Sequence, residues 1–246
     1  MSGRDVLKQG IQKLARFEPI HQQAAAFGTV AHVMRRRQLF TSLRIDLVLD
    51  VGANVGQYGR ELRSNYSGQI ISFEPVSNVY QELRRGIGND RGWSAHNMAL
   101  GRENTTLEIN VSSSTVFSSF LKSSEFSQRT FGQSAMPTKK ERVAVKRLEE
   151  LLPELVPDYR NRRIFLKMDT QGFDLEVFMG LGELKRYVHA LQSEVSVIPI
   201  YDGMPHWTEG VSEYERHGFA IAGLFPVNMD GNRVIEFDCL MVNASA

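Results

Sequence analysis

The chain has 246 residues, 42% of them hydrophobic and 23% charged, which is enough apolar material for one large core in a soluble globular protein. Its 29 basic and 28 acidic side chains leave a net charge of +1, too weak a field to hold nucleic acid by phosphate neutralisation. A lone cysteine, Cys239, excludes an internal disulfide, and the apolar run around it predicts a buried, inert thiol.

Within residues 6–40 the apolar side chains recur at helical spacing, with Pro19 separating two stretches, so two or three helices are expected outside the core sheet. Residues 1–13 hold no apolar run long enough for a signal peptide or a membrane span. The expected location is the cytoplasm, with no integral membrane segment. Arg35, Arg36 and Arg37 read either as a solvated helix end or as an attraction for anionic lipid or substrate.

Beyond Arg44, short apolar runs at residues 47–51, 69–73, 93–98, 164–168 and 191–197 alternate with helix-like segments. That alternation indicates βαβ units and a mostly parallel sheet. Residues 105–111 and 142–145 look like further short strands, the second leading into an amphipathic helix with Leu148, Leu151 and Leu152. Residues 219–224 and 235–242 read as an edge hairpin around a turn at residues 228–232. The irregular segment 112–140, with Phe117, Phe120, Phe126 and Phe131, reads as a lid or as a surface excursion anchored by its phenylalanines.

The strongest motif follows the first strand, where Asp50-Val51-Gly52-Ala53-Asn54-Val55-Gly56-Gln57-Tyr58 passes through two glycines into a helix. Gly52 permits a tight turn and close approach of a ligand, and Gly56 opens the helix near the sheet. Free N–H groups at that helix start can face a carboxylate. The spacing lacks the third glycine of the dinucleotide fingerprint, which favours S-adenosylmethionine over a nicotinamide. Asp50, Gly52, Ala53, Asn54, Gly56 and Tyr58 are its candidate ligands. The next strand ends in Glu74-Pro75, where Glu74 can accept from both ribose hydroxyls and Pro75 helps stop the strand. Asn97, Met98 and Ala99, at the end of the third strand, are candidates for the adenine edge.

These motifs, with Phe73-Glu74-Pro75, Asn97-Met98-Ala99-Leu100-Gly101 and Phe165 through Gly172, resemble the FkbM-type family of methyltransferases over residues 45–242. The most specific stretch is Lys167-Met168-Asp169-Thr170-Gln171-Gly172-Phe173-Asp174; the family more often has an acid where this chain has Gln171. The resemblance implies a class I, Rossmann-like α/β fold, with a mostly parallel seven-stranded sheet ending in an antiparallel hairpin. It also implies S-adenosylmethionine-dependent transfer to hydroxyl oxygens of sugars, glycolipids, polysaccharides or polyketides. Residues 1–44 would form a helical extension and residues 45–246 the methyltransferase domain.

Methyl transfer needs the acceptor oxygen, methyl carbon and sulfur in line, and the hydroxyl must lose its proton. Asp169, ending the fourth strand, is the leading candidate for general base or for holding the methionine ammonium. Lys167, on the same face, can pair with Asp169, and it would also give Glu194, in an apolar strand, the partner that a buried charge needs. His206, near Trp207 and Tyr201, reads as a further base beside sugar-stacking rings or as a surface histidine. An Mg2+ ion shared by Asp169 and Glu194 ranks below a metal-free site. The rival readings are a nicotinamide oxidoreductase and a non-catalytic nucleotide-binding module. The expected partner is a small-molecule or glycoside acceptor, and the N-terminal helices are open to a homodimer face or to covering the substrate.

Overall fold

A computed structural model describes the backbone of residues 20–244 and the side chains of residues 30–244. The helical spacing expected before Ile20 lies outside the described residues. Strands β1 (Leu47–Val51) and β7 (Ile164–Met168) are buried along their whole length, as parallel strands covered on both faces must be. They stand at the centre of a seven-stranded sheet of order β3-β2-β1-β7-β8-β10-β9. The other strands are β2 (Gln69–Phe73), β3 (Trp93–His96), β8 (Val188–Ser196), β9 (Phe219–Asp230) and β10 (Arg233–Asn243). β10 runs antiparallel between β8 and β9, giving the expected edge hairpin.

Several boundaries differ from expectation; the strand expected at 142–145 runs over Pro137–Lys146, and the one expected at 191–197 over Val188–Ser196. The third strand stops at His96 because the Asn97 amide donates to the carbonyls of Glu74 and Pro75, both at 2.9 Å, and turns the chain. Ala99–Leu100 then forms β4 in a second sheet with β5 (Thr105–Ser112) and β6 (Pro137–Lys146), in the order β4-β6-β5. The hairpin turn is tighter than read: Gly231, at φ 57°, sits with Asn232 between the strands, and residues 228–230 belong to β9.

Side chains alternate across β1 and β7. Leu47, Leu49, Val51, Ile164, Leu166 and Met168 meet α5 (Leu148–Leu155), α6 (Asp174–Met179) and α7 (Trp207–Arg216) on one face. Val48 and Phe165 point to the other face, towards Leu39 of α1 (Ile20–Leu43), Leu62 of α2 (Gln57–Arg63) and Leu83 of α3 (Ser77–Ile87). Asp50 and Lys167 share that second face, and the strand register sets Ser72, Asp50, Lys167 and Gln192 side by side across four strands. A polar row therefore crosses an apolar sheet. Cys239 is fully buried, and burial pushes its thiol up to about 12. No helix among the described residues is long and apolar enough to cross a membrane.

Candidate active site

A cavity of about 690 Å³ opens at the carboxyl ends of β1 and β7, where successive connections leave in opposite directions and open α/β sheets bind ligands. Gly52 lines it at φ 75°, and a Cβ there would lie 1.9 Å from the Asp169 carbonyl oxygen. Contact between two strand-end loops therefore demands this glycine, in the tight turn expected from sequence and at the cavity wall. Gly56, at φ 87°, lies outside the cavity wall; a Cβ there would meet Leu83 at 2.7 Å and Trp93 at 3.3 Å. It lets α2 approach α3 and β3.

Glu74 lines the cavity beside Ala53, Asn54 and Pro75. Its carboxylate accepts from the backbone N–H of Asn54 at 2.9 Å and of Val76 at 2.8 Å. Burial pushes it up to about 7, against the pull of those two donors. Each oxygen keeps a second acceptor direction. Asn97 is used by its bonds to the Glu74 and Pro75 carbonyls, and Met98 packs against the apolar core, so of the expected adenine-edge residues only Ala99 lines the cavity.

Asp50 is fully buried behind the cavity wall, accepting from the Ser72 hydroxyl at 3.0 Å and lying 3.3 Å from Lys167 Nζ. Lys167 Nζ also lies 3.4 Å from Asp169 Oδ2 and donates to the Gly52 carbonyl at 3.2 Å. Burial works against its charge, but the carboxylates of Asp169 and Asp50 outweigh it and raise its affinity for the proton. The expected Lys167–Asp169 pair is thus present. The expected Lys167–Glu194 pair is not: Glu194 accepts from Gln171 Nε2 at 2.8 Å, and the same nitrogen donates to Asp169 Oδ1 at 3.0 Å. Gln171 Oε1 accepts from the Tyr201 hydroxyl at 2.8 Å, which fixes the orientation of the amide. A glutamine where an acid is more usual joins the two carboxylates. Burial, then the charges of Asp169, Glu236 and Asp238, hold the Glu194 carboxyl well above the usual range.

His206 and Trp207 fall outside the cavity wall; His206 caps α7, with Nδ1 2.8 Å from the Thr208 hydroxyl. Among the described residues no three His, Cys, Asp or Glu side chains are grouped to hold a metal. The Gln171 amide stands between Asp169 and Glu194, the pair considered for Mg2+.

From sequence the N-terminal helices are open to a dimer face or to covering the substrate, and the structure brings His32 and Arg36 of α1 into the cavity wall. Arg36 is only 2% exposed, pairs with Glu61 at 2.6 Å and lies over the Tyr58 ring at 4.8 Å. His32, Arg36 and Tyr58 all line the cavity, so the middle arginine is not a solvated helix end. Segment 112–140 supplies another wall. Thr115 donates to Asn54 Oδ1 at 3.1 Å, Ser119 donates to the Gln171 carbonyl at 2.7 Å, and Phe117 and Phe120 face the cavity. Phe126 and Phe131, on α4 (Glu125–Phe131), anchor the segment on Ile200 and Tyr201.

The model of the methyltransferase FkbM domain matches residues 50–219. The chain belongs to this family. Several solved structures are similar to it at low identity. The Aeropyrum pernix fibrillarin complex with natively bound S-adenosyl-L-methionine is 10% identical, with 79% of this chain and 66% of that chain covered and a TM-score of 0.42. The precorrin-6y C5,15-methyltransferase of Geobacter metallireducens is 13% identical over 84% of this chain and 86% of that one, with a TM-score of 0.44. An rRNA methylase from Streptococcus thermophilus is 10% identical over 87% and 95%, with a TM-score of 0.44. The FkbM-family chain spans about two thirds of the fibrillarin chain. No curated protein matches it.

Proposed function

We propose that this FkbM-family chain is an S-adenosylmethionine-dependent O-methyltransferase acting on a hydroxyl of a sugar, glycolipid, polysaccharide or polyketide. The observation that carries this reading is one cavity with Glu74 at one end and the joined carboxylates of Asp169 and Glu194 at the other, on either side of the Gly52 turn. The residues fit the donor: Glu74 keeps acceptor capacity for two ribose hydroxyls, and the carboxylate-rich wall suits a sulfonium cation. The donor supplies an electrophilic methyl group. Glu74, Ala53, Asn54 and Pro75 would bind its nucleoside portion. Asp169, its side chain 40% exposed, faces the cavity with Lys167 and Gln171 fixing its two oxygens, and takes the acceptor proton. Phe117 and Phe120 exclude water. The test is transfer of a labelled methyl group to glycoside and polyketide acceptors, with the methylated atom identified in the product. Label on oxygen supports the reading, whereas label on nitrogen or carbon contradicts it.

A further inference from the structure

One wall of the cavity is unexplained by the donor. Glu236 and Asp238, two residues apart on β10, line it together with Gln192 and Glu194 on β8, and Asp238 is in register with Glu194. Four inter-strand steps separate β10 from the strand that carries Glu74, roughly 19 Å. Glu236 is bonded by neutral groups, the Ser196 hydroxyl and the Asn228 amide, each at 2.9 Å. Asp238 accepts from Gln192 Nε2 at 3.0 Å and lies 3.5 Å from His32 Nδ1. Burial, then the Arg36 charge, push that imidazole down to about 4, so it is neutral near pH 7. The nearby cations are engaged elsewhere, Lys167 by Asp50 and Asp169, and Arg36 by Glu61. Among the described residues no lysine or arginine forms an ion pair with Glu194, Glu236 or Asp238.

A second observation points to a ligand on this wall. Gln192 is only 5% exposed, its Nε2 is fixed by Asp238, and its Oε1 has no hydrogen-bond partner. Buried polar atoms in this condition are uncommon and ask for a partner. We infer that the wall formed by Gln192, Glu236 and Asp238 binds the ammonium group of an amine-bearing acceptor, an amino alcohol such as an amino sugar, whose neighbouring hydroxyl is presented to Asp169. An ammonium carries three donors and no acceptor, which matches two carboxylates and an amide oxygen. The inference rests on the methyltransferase reading and narrows its acceptor.

Burial holds Glu194, Glu236 and Asp238 above the usual carboxylate range, Asp238 at about 6. Asp169 and Asp174 add to this, and Lys167 and Arg36 oppose it at Asp238. A bound ammonium favours the ionised carboxylates, so its binding should release protons.

The test uses full-length protein saturated with S-adenosylhomocysteine and three probes: methyl glucosaminide, its N-acetyl derivative and methyl glucoside. Calorimetry in buffers of different ionisation heat reads affinity and proton release together. The amine probe should bind about tenfold or more tightly than either neutral probe. It should release protons, and Asp238→Asn or Glu236→Gln should remove the preference. Equal binding of the neutral probes, no binding of the amine, or a preference that survives both substitutions would overturn the inference. Failure of S-adenosylhomocysteine itself to bind would instead remove the methyltransferase reading, and this inference with it.

Discussion

Asp174 is 6% exposed, and both its oxygens are fully used. Oδ1 accepts from the Thr170 backbone N–H at 2.7 Å and its hydroxyl at 2.5 Å; Oδ2 accepts from the Ser193 hydroxyl at 2.8 Å and the Glu194 N–H at 3.1 Å. This side chain ties the loop after β7 to β8 and sets the spacing of Asp169 and Glu194. Asp174→Ala should lower stability by about 3 kcal/mol, since it strands buried donors. Denaturant unfolding checks this, and a loss below about 0.5 kcal/mol would contradict it. Asp169→Asn keeps the volume but removes the proposed base, so turnover should fall by roughly 100-fold with donor affinity little changed. A parallel fall in donor affinity, measured by calorimetry, would move Asp169 to the donor's ammonium. Glu74 gives a pH prediction. With its carboxyl at about 7 in the free protein, and with ribose hydroxyls donating to the ionised form, affinity should be lost as pH falls through that value. Titration with S-adenosylhomocysteine at pH 6 and pH 8 should show binding about tenfold weaker at pH 6; equal affinities would count against Glu74 as ribose ligand.

The elements that were legible in sequence are those with a local signature. β1 and β7 are short apolar runs bounded by glycine turns, and the acids ending their neighbours sit where an open sheet binds ligands. What escaped was set by tertiary contact. His32 and Arg36 lie on a helix whose sequence shows helical spacing but no strongly one-sided apolar face, and its docking onto β9 and α2 through Arg35–Ala222 and Arg36–Glu61 turns them into the cavity. The role of Gln171 was not legible because it depends on Tyr201, thirty residues away, orienting its amide. The aromatic segment 112–140 was readable as a possible cover, and its anchors to Asn54 and Gln171 place it against both ends of the site. Its amides around Thr115 and Phe120 should become more protected against hydrogen exchange when S-adenosylhomocysteine binds. Unchanged protection would make the segment a fixed wall, indifferent to the donor.

At the scale of the molecule, function follows from where the sheet changes direction. β2 and β3 extend to one side of β1, and β7, β8 and β10 to the other, so the loops after β1 and β7 part and leave the cavity between them. In the proposed reading the donor side lies towards β2 and the acceptor side towards β10, with Lys167 and Asp50 buried beneath the boundary. The turn, the strand-end acid and their spacing, from which the donor side is proposed, are legible in the sequence. The proposed acceptor side draws on β8, β10 and α1, whose residues come together only in the folded sheet. Titration of S-adenosylhomocysteine into the wild-type protein and into Glu74→Ala tests the assignment most directly. Saturable binding in the wild type, weakened at least about tenfold by the substitution with the fold intact, is the predicted result. No binding to the wild type, or equal affinity in both proteins, would contradict it.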